Sequence, residues 1–373
     1  MLRGFYLTLF MGPTVALPAP QPVMDALLSA QVTTAAGSAS GFQLTFALSK
    51  KSILNTIMLP AGAFDPGIRV ILVATVNSLP TVLIDGIITQ HTVTPSNDPG
   101  QSTLSVTGED LTVLMNLDDK KAEYPGLPVE GIIGVILLNY EIYGIIPLLI
   151  PPIEIDIEGP LDKWYSQTGT DLNYINTLAS ECGYVFYIDP GPVPGANVAY
   201  FGPEIRVGIP QSALNINMDA ETNIESLSFT FDGMAREQPV ITVFDPITGS
   251  IPISIPIPDV SLLRPPLALR PAAALRTVDF DEVANLDPIQ AALVGLAKAA
   301  KPDAITGSGQ LDVLRYGSPL KARQLVGVRG AGPAYDGLYY VSSVTHNIKR
   351  GEYKQSFNLG REGLISLTPV VVP

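Results

Sequence analysis

One hairpin pattern occurs near both ends of this chain, and it limits the fold more than any other feature of the sequence. Ile84-Asp-Gly-Ile-Ile-Thr-Gln-His91 is followed by Gln101-Ser-Thr-Leu-Ser-Val-Thr-Gly-Glu-Asp-Leu111. Much later, Tyr340-Val-Ser-Ser-Val-Thr-His346 is followed by Gln355-Ser-Phe-Asn-Leu-Gly-Arg-Glu-Gly-Leu364. Each copy is an apolar strand ending in Thr and one of the chain's two histidines, a polar turn, a Gln-Ser strand start, and an acidic residue before leucine. The interval is too long for a solenoid and predicts two related antiparallel β units in one chain. A chain of 373 residues has room for two or three such units, each with a core.

Composition agrees with a β-rich subunit. Apolar residues make up 46% and charged residues 15%, with 33 Gly and 34 Pro to punctuate strands and interrupt helices. So uncharged a surface is easiest to keep in solution when partners cover much of it. The net charge of −13 leaves no basic stripe to neutralise phosphates, and Lys50-Lys51 and Lys120-Lys121 are isolated pairs, so no stable nucleic-acid binding is expected. Cys182 is the single cysteine, which excludes an internal disulfide and reads as a small buried apolar side chain.

Two apolar stretches imitate other structures. Met1 to Ala19 resembles a signal peptide, but Pro13 interrupts it and Ala16-Leu17-Pro18 makes a poor cleavage site, so an N-terminal strand is expected. Gly131 to Ile150 has the length of a membrane span, yet Asn139, Glu141 and Pro147 fall inside it. A charge and a helix breaker at that depth are costly, so a buried helix followed by an extended run is expected, without membrane insertion.

Along the chain, Gly41 to Leu48 alternates as a strand with Phe42, Leu44 and Phe46 on one face. Ile68–Val76, Thr81–Ile88 and Ser102–Gly108 complete a first barrel or sandwich, with turns at Asn77–Pro80 and Asn97–Gly100. Apolar positions 129, 132, 133, 136, 137 and 140 predict a helix entered through Pro128. Thr170 or Asp171 caps a second, burying Leu172, Ile175, Leu178, Ala179 and Cys182 and stopped by Gly183; a hairpin of Tyr184–Ile188 and Asn197–Phe201 follows. Leu214–Phe231 returns to strand, and the proline-rich Phe244–Arg276 is an edge strand or a connector. A third helix is expected from Asp287 to Lys301, then strands at Gln310–Arg315, Gln324–Gly330, Gly337–Ile348 and Tyr353–Gly360. The expected fold class is mainly β with an α+β insert. Its parts are a first β unit over 1–117, the insert over 118–204, return strands and connector over 205–276, and a helix with the second β unit and a tail over 277–373.

No catalytic motif is present: there is no nucleophile elbow, phosphate loop, zinc-binding His pair or Cys pair. His91 and His346 are expected as half-exposed structural residues at equivalent places in the repeat. Asp118-Asp119 with Asp162 reads as solvated acid rather than a cation site, and Val328-Arg-Gly-Ala-Gly-Pro333 as a tight turn. No metal, cofactor or enzymatic activity is expected. Trp164, the only tryptophan, and Tyr165 are expected as packing or interface anchors.

Several segments together resemble a known family. They are Gly12-Pro-Thr-Val15 with Pro18-Ala-Pro20, Ser40-Gly-Phe-Gln-Leu-Thr-Phe46, Pro99-Gly-Gln-Ser-Thr-Leu104 with Gly108-Glu-Asp-Leu111, and Gln167-Thr-Gly-Thr-Asp-Leu-Asn-Tyr174. Gly183-Tyr-Val-Phe-Tyr187, Asn197-Val-Ala-Tyr-Phe-Gly202, Tyr335-Asp-Gly-Leu-Tyr-Tyr-Val341 and Gln355-Ser-Phe-Asn-Leu359 continue the match. The chain is similar to the baseplate hub proteins of contractile phage tails and contractile injection systems, the late control protein D family.

That resemblance implies two tube-like antiparallel β-barrel domains per subunit and a homotrimer that adapts a hexameric tail tube to a trimeric spike. It also implies assembly in the bacterial cytoplasm into a virion tail or injection particle, with tube, spike and baseplate wedge or LysM-like proteins as partners. No spike repeat or lysozyme-like domain is visible, so the spike is expected as a separate protein. The apolar tail, with Leu364, Ile365, Leu367, Val370, Val371 and Val372, is the expected spike contact. The acidic balance suggests a negative channel wall. A secreted or cell-surface β-sandwich adhesin and a cell-wall hydrolase are the competing readings.

Overall fold

The computed structural model describes residues 4–98, 100–152, 164–244, 252–256, 264–279, 303–368 and 371, and of 237–244, 252–256 and 276–279 the backbone alone. The architecture is mainly β, with antiparallel pairing dominant and few helices. The first unit contains β1 (Phe5–Gly12), α1 (Gln21–Ala26), β2 (Leu27–Ala35), β3 (Gly41–Ala47), β4 (Arg69–Val76), β5 (Leu79–Thr94) and β6 (Thr103–Asp110). Alternation in β3 buries Phe42, Leu44 and Phe46, as expected from its period of two. The β4–β5 turn is tighter than Asn77–Pro80: Asn77 and Ser78 both take positive φ, 50° and 68°, the geometry of a two-residue hairpin turn, and Pro80 already pairs with Thr75.

The Asp110 carboxylate caps a short 3-10 helix, Leu111–Asn116, that leads from β6 toward the insert. The insert holds β7 (Asp119–Pro125), α2 (Val129–Leu138), β8 (Ile145–Leu149), β9 (Trp164–Thr170), α3 (Asp171–Cys182), β10 (Val185–Pro190) and β11 (Asn197–Gly202). Helix α2 enters through Pro128 and buries Val129, Ile132, Ile133, Ile136 and Leu137. The stretch that imitates a membrane span is thus helix then strand, and no helix among the described residues is long and apolar enough to cross a membrane. The Thr170 hydroxyl accepts from the Asn173 N–H at the start of α3, and Gly183, φ 66°, ends it. Ile175, Leu178 and Ala179 are buried, whereas Leu172 and Cys182 are only half-buried. Strand β11 pairs with β10 and, in parallel, with β8, so the insert has a three-stranded sheet where only a hairpin was expected.

The second unit contains β12 (Gln211–Asn215), β13 (Ile224–Phe231), β14 (Ala268–Pro271), β15 (Ile305–Asp312), α4 (Val313–Tyr316), β16 (Leu325–Arg329), β17 (Gly337–Lys349), β18 (Glu352–Arg361) and β19 (Gly363–Ser366). Two expectations change here. The strand expected over Gln310–Arg315 stops at Asp312, whose carboxylate accepts from the N–H groups of Leu314 and Arg315 and starts α4. The strand expected over Leu214–Phe231 is broken by a turn in which Asn217 and Asp219 take positive φ. Within the proline-rich region, 252–256 pairs with Glu237–Phe244 and β14 pairs with β19. The helix expected over Asp287–Lys301 lies outside the described residues.

Ten of these strands lie in the order β13-β15-β18-β17-β2-β3-β6-β5-β4-β1, within a thirteen-stranded sheet that also includes β12, β16 and Leu17–Pro18. Counting the strands of each unit in chain order (β1 to β6; β12, β13, β15 to β18), both units show the spatial order 1-4-5-6-3-2. They differ in one pairing, since β1 meets β4 antiparallel while β12 meets β16 parallel. Among the described residues the units do not close into two separate barrels. Strand β2 pairs along its outer edge with β17, which satisfies the edge and makes one open sheet. A continuous core lies beneath it, from Leu9, Leu44 and Phe46 of the first unit to Val344, Phe357 and Leu359 of the second.

Candidate assembly surface

The join between the units shows what the sheet offers on each side. From β2 to β17 the register is Thr33↔Thr345, Val32↔His346, Gln31↔Asn347 and Ala30↔Ile348. Val32, Ala30, His346 and Ile348 point into the core, and the residues between them point out. Following the register outward gives rows of polar side chains, nearly all of them uncharged. One row runs Gln90, Thr107, Gln43, Gln31, Asn347 and Lys354. Another runs Thr33, Thr345, Ser356, Gln310 and Ser226. Cross-strand hydrogen bonds tie the rows together: Gln31 to Asn347 at 3.2 Å, Thr33 to Thr345 at 3.1 Å, Gln43 to Ser105 at 3.1 Å, Ser228 to Ser308 at 3.0 Å and Asn358 to Ser343 at 2.8 Å. Charges sit at the margins, with Glu109 and Lys349 on this face and Lys354 paired to Glu225 and Glu352. The expected acidic wall is therefore not found on this face; it is a hydroxyl and amide surface with few fixed charges.

The echo that pointed to two units does not overlay residue by residue. Gln355 pairs with His346 inside β18, whereas Gln101 lies in the turn before β6 and is exposed. His346 is fully buried rather than half-exposed. Its Nδ1 lies 2.7 Å from the Tyr353 hydroxyl and 3.2 Å from Gln355 Nε2. An amide NH2 only donates, so that nitrogen carries a lone pair and the ring is neutral. Burial pushes the His346 pKa down to about 4. His91 is half-buried, with Nδ1 3.0 Å from the Phe64 carbonyl oxygen. The signal missed was the partner set: a His beside a Gln-Ser start and a Tyr two residues before it, in a strand that alternates with the core.

Buried ionic clusters hold the insert to the sheet. Arg69 on β4 grips Asp85 on β5 with two hydrogen bonds, at 2.8 and 2.6 Å, and donates to the carbonyls of Thr14 and Tyr143. Asn197 on β11 donates to the same carboxylate at 2.9 Å. Arg323 donates to Asp189 on β10 and to the Ala35 carbonyl on β2, and stacks over Tyr187. Within the insert, Asp171 is buried, which pushes its carboxyl up, but hydrogen bonds from Lys120, Gln167 and Tyr140 outweigh this and hold it below its ordinary value. Among the described residues, no group of three His, Cys, Asp or Glu is placed to hold a metal ion; Asp162 of the expected acidic trio lies outside them.

The interface candidates are dispersed. Trp164 is two-thirds exposed, at 67%, opposite Pro125 at the start of β9, and Tyr165 is half-buried opposite Tyr124. In the tail, Leu364 packs on the core within β19, Val371 is buried, and Ile365 and Leu367 face outward. Val370 and Val372 lie outside the described residues.

No family model matches the chain, and no curated protein matches it in sequence. Its shape does match solved structures. A tail protein from Neisseria meningitidis MC58 superposes with a TM-score of 0.61 at 16% identity, over 97% of this chain and 98% of that one. The 43 kDa tail protein of prophage MuSo2 from Shewanella oneidensis gives 0.63 at 14% identity, over 96% and 99%. An E. coli type VI secretion component, described as structurally similar to the T4 tail proteins gp27 and gp5, gives 0.53 at 14% identity, over 93% and 77%. This chain accordingly has the fold of these phage tail and type VI secretion proteins.

Proposed function

We propose that this chain is the structural hub of a contractile tail or injection-system baseplate, a homotrimer that adapts a six-fold tail tube to a three-fold spike. The observation that carries the reading is the pair of six-stranded units with one spatial order, laid side by side in one sheet. Three such chains present six matching faces to a tube, a symmetry that a single unit per chain does not supply. Each unit with its part of the polar face is a tube-like domain, and the face lines the bore. A neutral hydroxyl and amide wall neither attracts nor repels a charged passenger strongly, in keeping with passage rather than binding. The work is geometry and attachment, without turnover. The solved neighbours support this reading, being tail and secretion-system proteins. The tube protein, a separate spike, and wedge or LysM-like proteins are the partners, in a particle assembled in the bacterial cytoplasm. Ile365 and Leu367 are the outward tail residues for the spike, and Trp164 an anchor on the insert.

Light scattering on the purified chain should give the mass of three copies, and negative-stain images should show three-fold rings with six lobes. A monodisperse monomer without rings at high concentration refutes the reading.

A further inference from the structure

We propose that the free edge of β13 in one copy pairs antiparallel with the end of β5 in the next, Thr230 opposite Thr92, as a between-chain duplicate of the β2–β17 join. The proposal rests on the ring reading only for its occupant, a second copy of this chain. Edges and register come from the internal repeat.

The two units align without ambiguity because each carries the same two irregularities. In the first unit, the row Ser29–Thr45–Ser105–Thr92 crosses β2, β3, β6 and β5. In the second, Ser226–Gln310–Ser356–Thr345 crosses β13, β15, β18 and β17. The register slips one residue before Ser29, at Leu28, and one residue before Ser226, at Glu225. It slips again three residues before Thr92, at Thr89, and three residues before Thr345, at Ser342. Two β-bulges at opposite ends of the row agree on one alignment, which makes β13 the counterpart of β2 and the end of β5 the counterpart of the end of β17.

Within the chain, the counterpart edges are joined: Thr33↔Thr345, Val32↔His346 and Thr34↔Val344. The remaining pair of edges is open among the described residues. Strand β13 ends the sheet, pairing only with β15, and β5 past Ile88 pairs only with β6. Carrying the internal register across gives Thr230↔Thr92, Phe229↔Val93, Phe231↔His91 and Ser228↔Thr94. These strands have the chemistry that such a join requires. Ser228, Thr230, Thr92 and Thr94 continue the polar face, while Val93 and Phe231 lie on the apolar side and are 40% and 44% exposed. The join covers both. Its contact is heterologous, β13 of each copy on β5 of the next, so it closes into a ring or runs on as a chain, and it pairs the edge at which β13 ends the sheet.

The test is Thr230→Cys with Thr92→Cys, in a Cys182→Ser background, oxidised with copper phenanthroline. Directly opposed residues of an antiparallel pair have Cα atoms about 4.5–5.5 Å apart, within disulfide reach. Non-reducing gels should show covalent trimers, lost when Thr230→Cys is combined instead with Thr94→Cys. Both sites are exposed edge positions, and hydrogen exchange on the unsubstituted chain gives an independent reading: amides of 90–94 and 226–231 should gain protection in the assembled fraction. Trimers by light scattering with no link at 92/230 and no gain in protection overturn the seam and leave the ring reading intact. Linkage into open chains of varying length supports the seam and overturns the trimer.

Discussion

Acidification should weaken the join between the two units through His346. This residue lies opposite Val32, on the core side of the β2–β17 seam, with Nδ1 2.7 Å from the Tyr353 hydroxyl and 3.2 Å from the Gln355 amide. Burial denies an imidazolium its water, and a proton on Nδ1 would also face that amide's N–H, so the fold withholds the proton until about pH 4, whereas an exposed His takes it up near 6.5. Between those values the unfolded chain binds more protons than the folded one. Stability is therefore complete above about 6.5 and falls as the pH drops toward 4. A difference of about 2.5 units, at about 1.4 kcal/mol each, makes the loss roughly 3 kcal/mol at pH 4. Unfolding free energies from urea titrations between pH 7.5 and 4 measure it directly. Other carboxylates titrate in the same window, so the informative quantity is the difference from His346→Gln, which keeps an acceptor for Tyr353 but does not titrate. The unsubstituted chain should lose about 3 kcal/mol more than the variant over this range. Parallel profiles for the two proteins would refute the argument.

Two further substitutions probe the clusters and the tail. Asp85→Ala strands the buried Arg69 guanidinium and removes the acceptor for Asn197, and should cost about 3–5 kcal/mol in denaturant titrations. Adding Arg69→Met should recover much of that loss, and a double variant no more stable than the single one counts against uncompensated charge as the cause. Ile365→Glu with Leu367→Glu, both outward in the tail, should leave the self-assembled mass unchanged and abolish copurification with the spike protein. Spike retained by this variant removes the tail from the interface.

What the sequence disclosed was what its local chemistry encodes strongly. Strand β3 showed itself through Phe42, Leu44 and Phe46, and α3 through the Thr170 cap and the Gly183 stop, because these signals lie within a few residues of the element. The short α4 was hidden because a single capping residue, Asp312, ends a strand that otherwise alternates well. The parallel β8–β11 pair was hidden because its strands are separated by a strand of another sheet, a helix and a hairpin partner, and nothing local marks which edge β11 will choose. Of the candidate surface, the hydroxyl and amide rows were in plain view as alternate Ser, Thr and Gln. Their continuity depends on the β2–β17 pairing, between residues more than three hundred positions apart.

The two copies of the repeated string do not align residue by residue, and the alternation of a strand explains why they still resemble each other. A strand preserves its inward and outward faces under a shift of two residues, so similar strings such as Thr-Gln-His and Thr-His recur at unequal places without disturbing the alternation. The bulge-anchored alignment sets His91 against Val344 and His346 against Val93, so the histidines are not equivalents and only the shared face is kept. What does coincide is what shifts cannot move: the order of six strands, the bulges at Leu28 and Glu225, and those at Thr89 and Ser342. A bulge twists its strand and re-aims the residues beyond it. In β17 the bulge separates the part bonded to β16 from the part bonded to β2, releasing one neighbour and admitting another. Thr89 makes the same break in β5, after the last residue bonded to β4, and among the described residues the five positions beyond it have a strand partner on one side alone. The device that joins the two units inside the chain is thus present a second time, with its place for a partner strand open among the described residues.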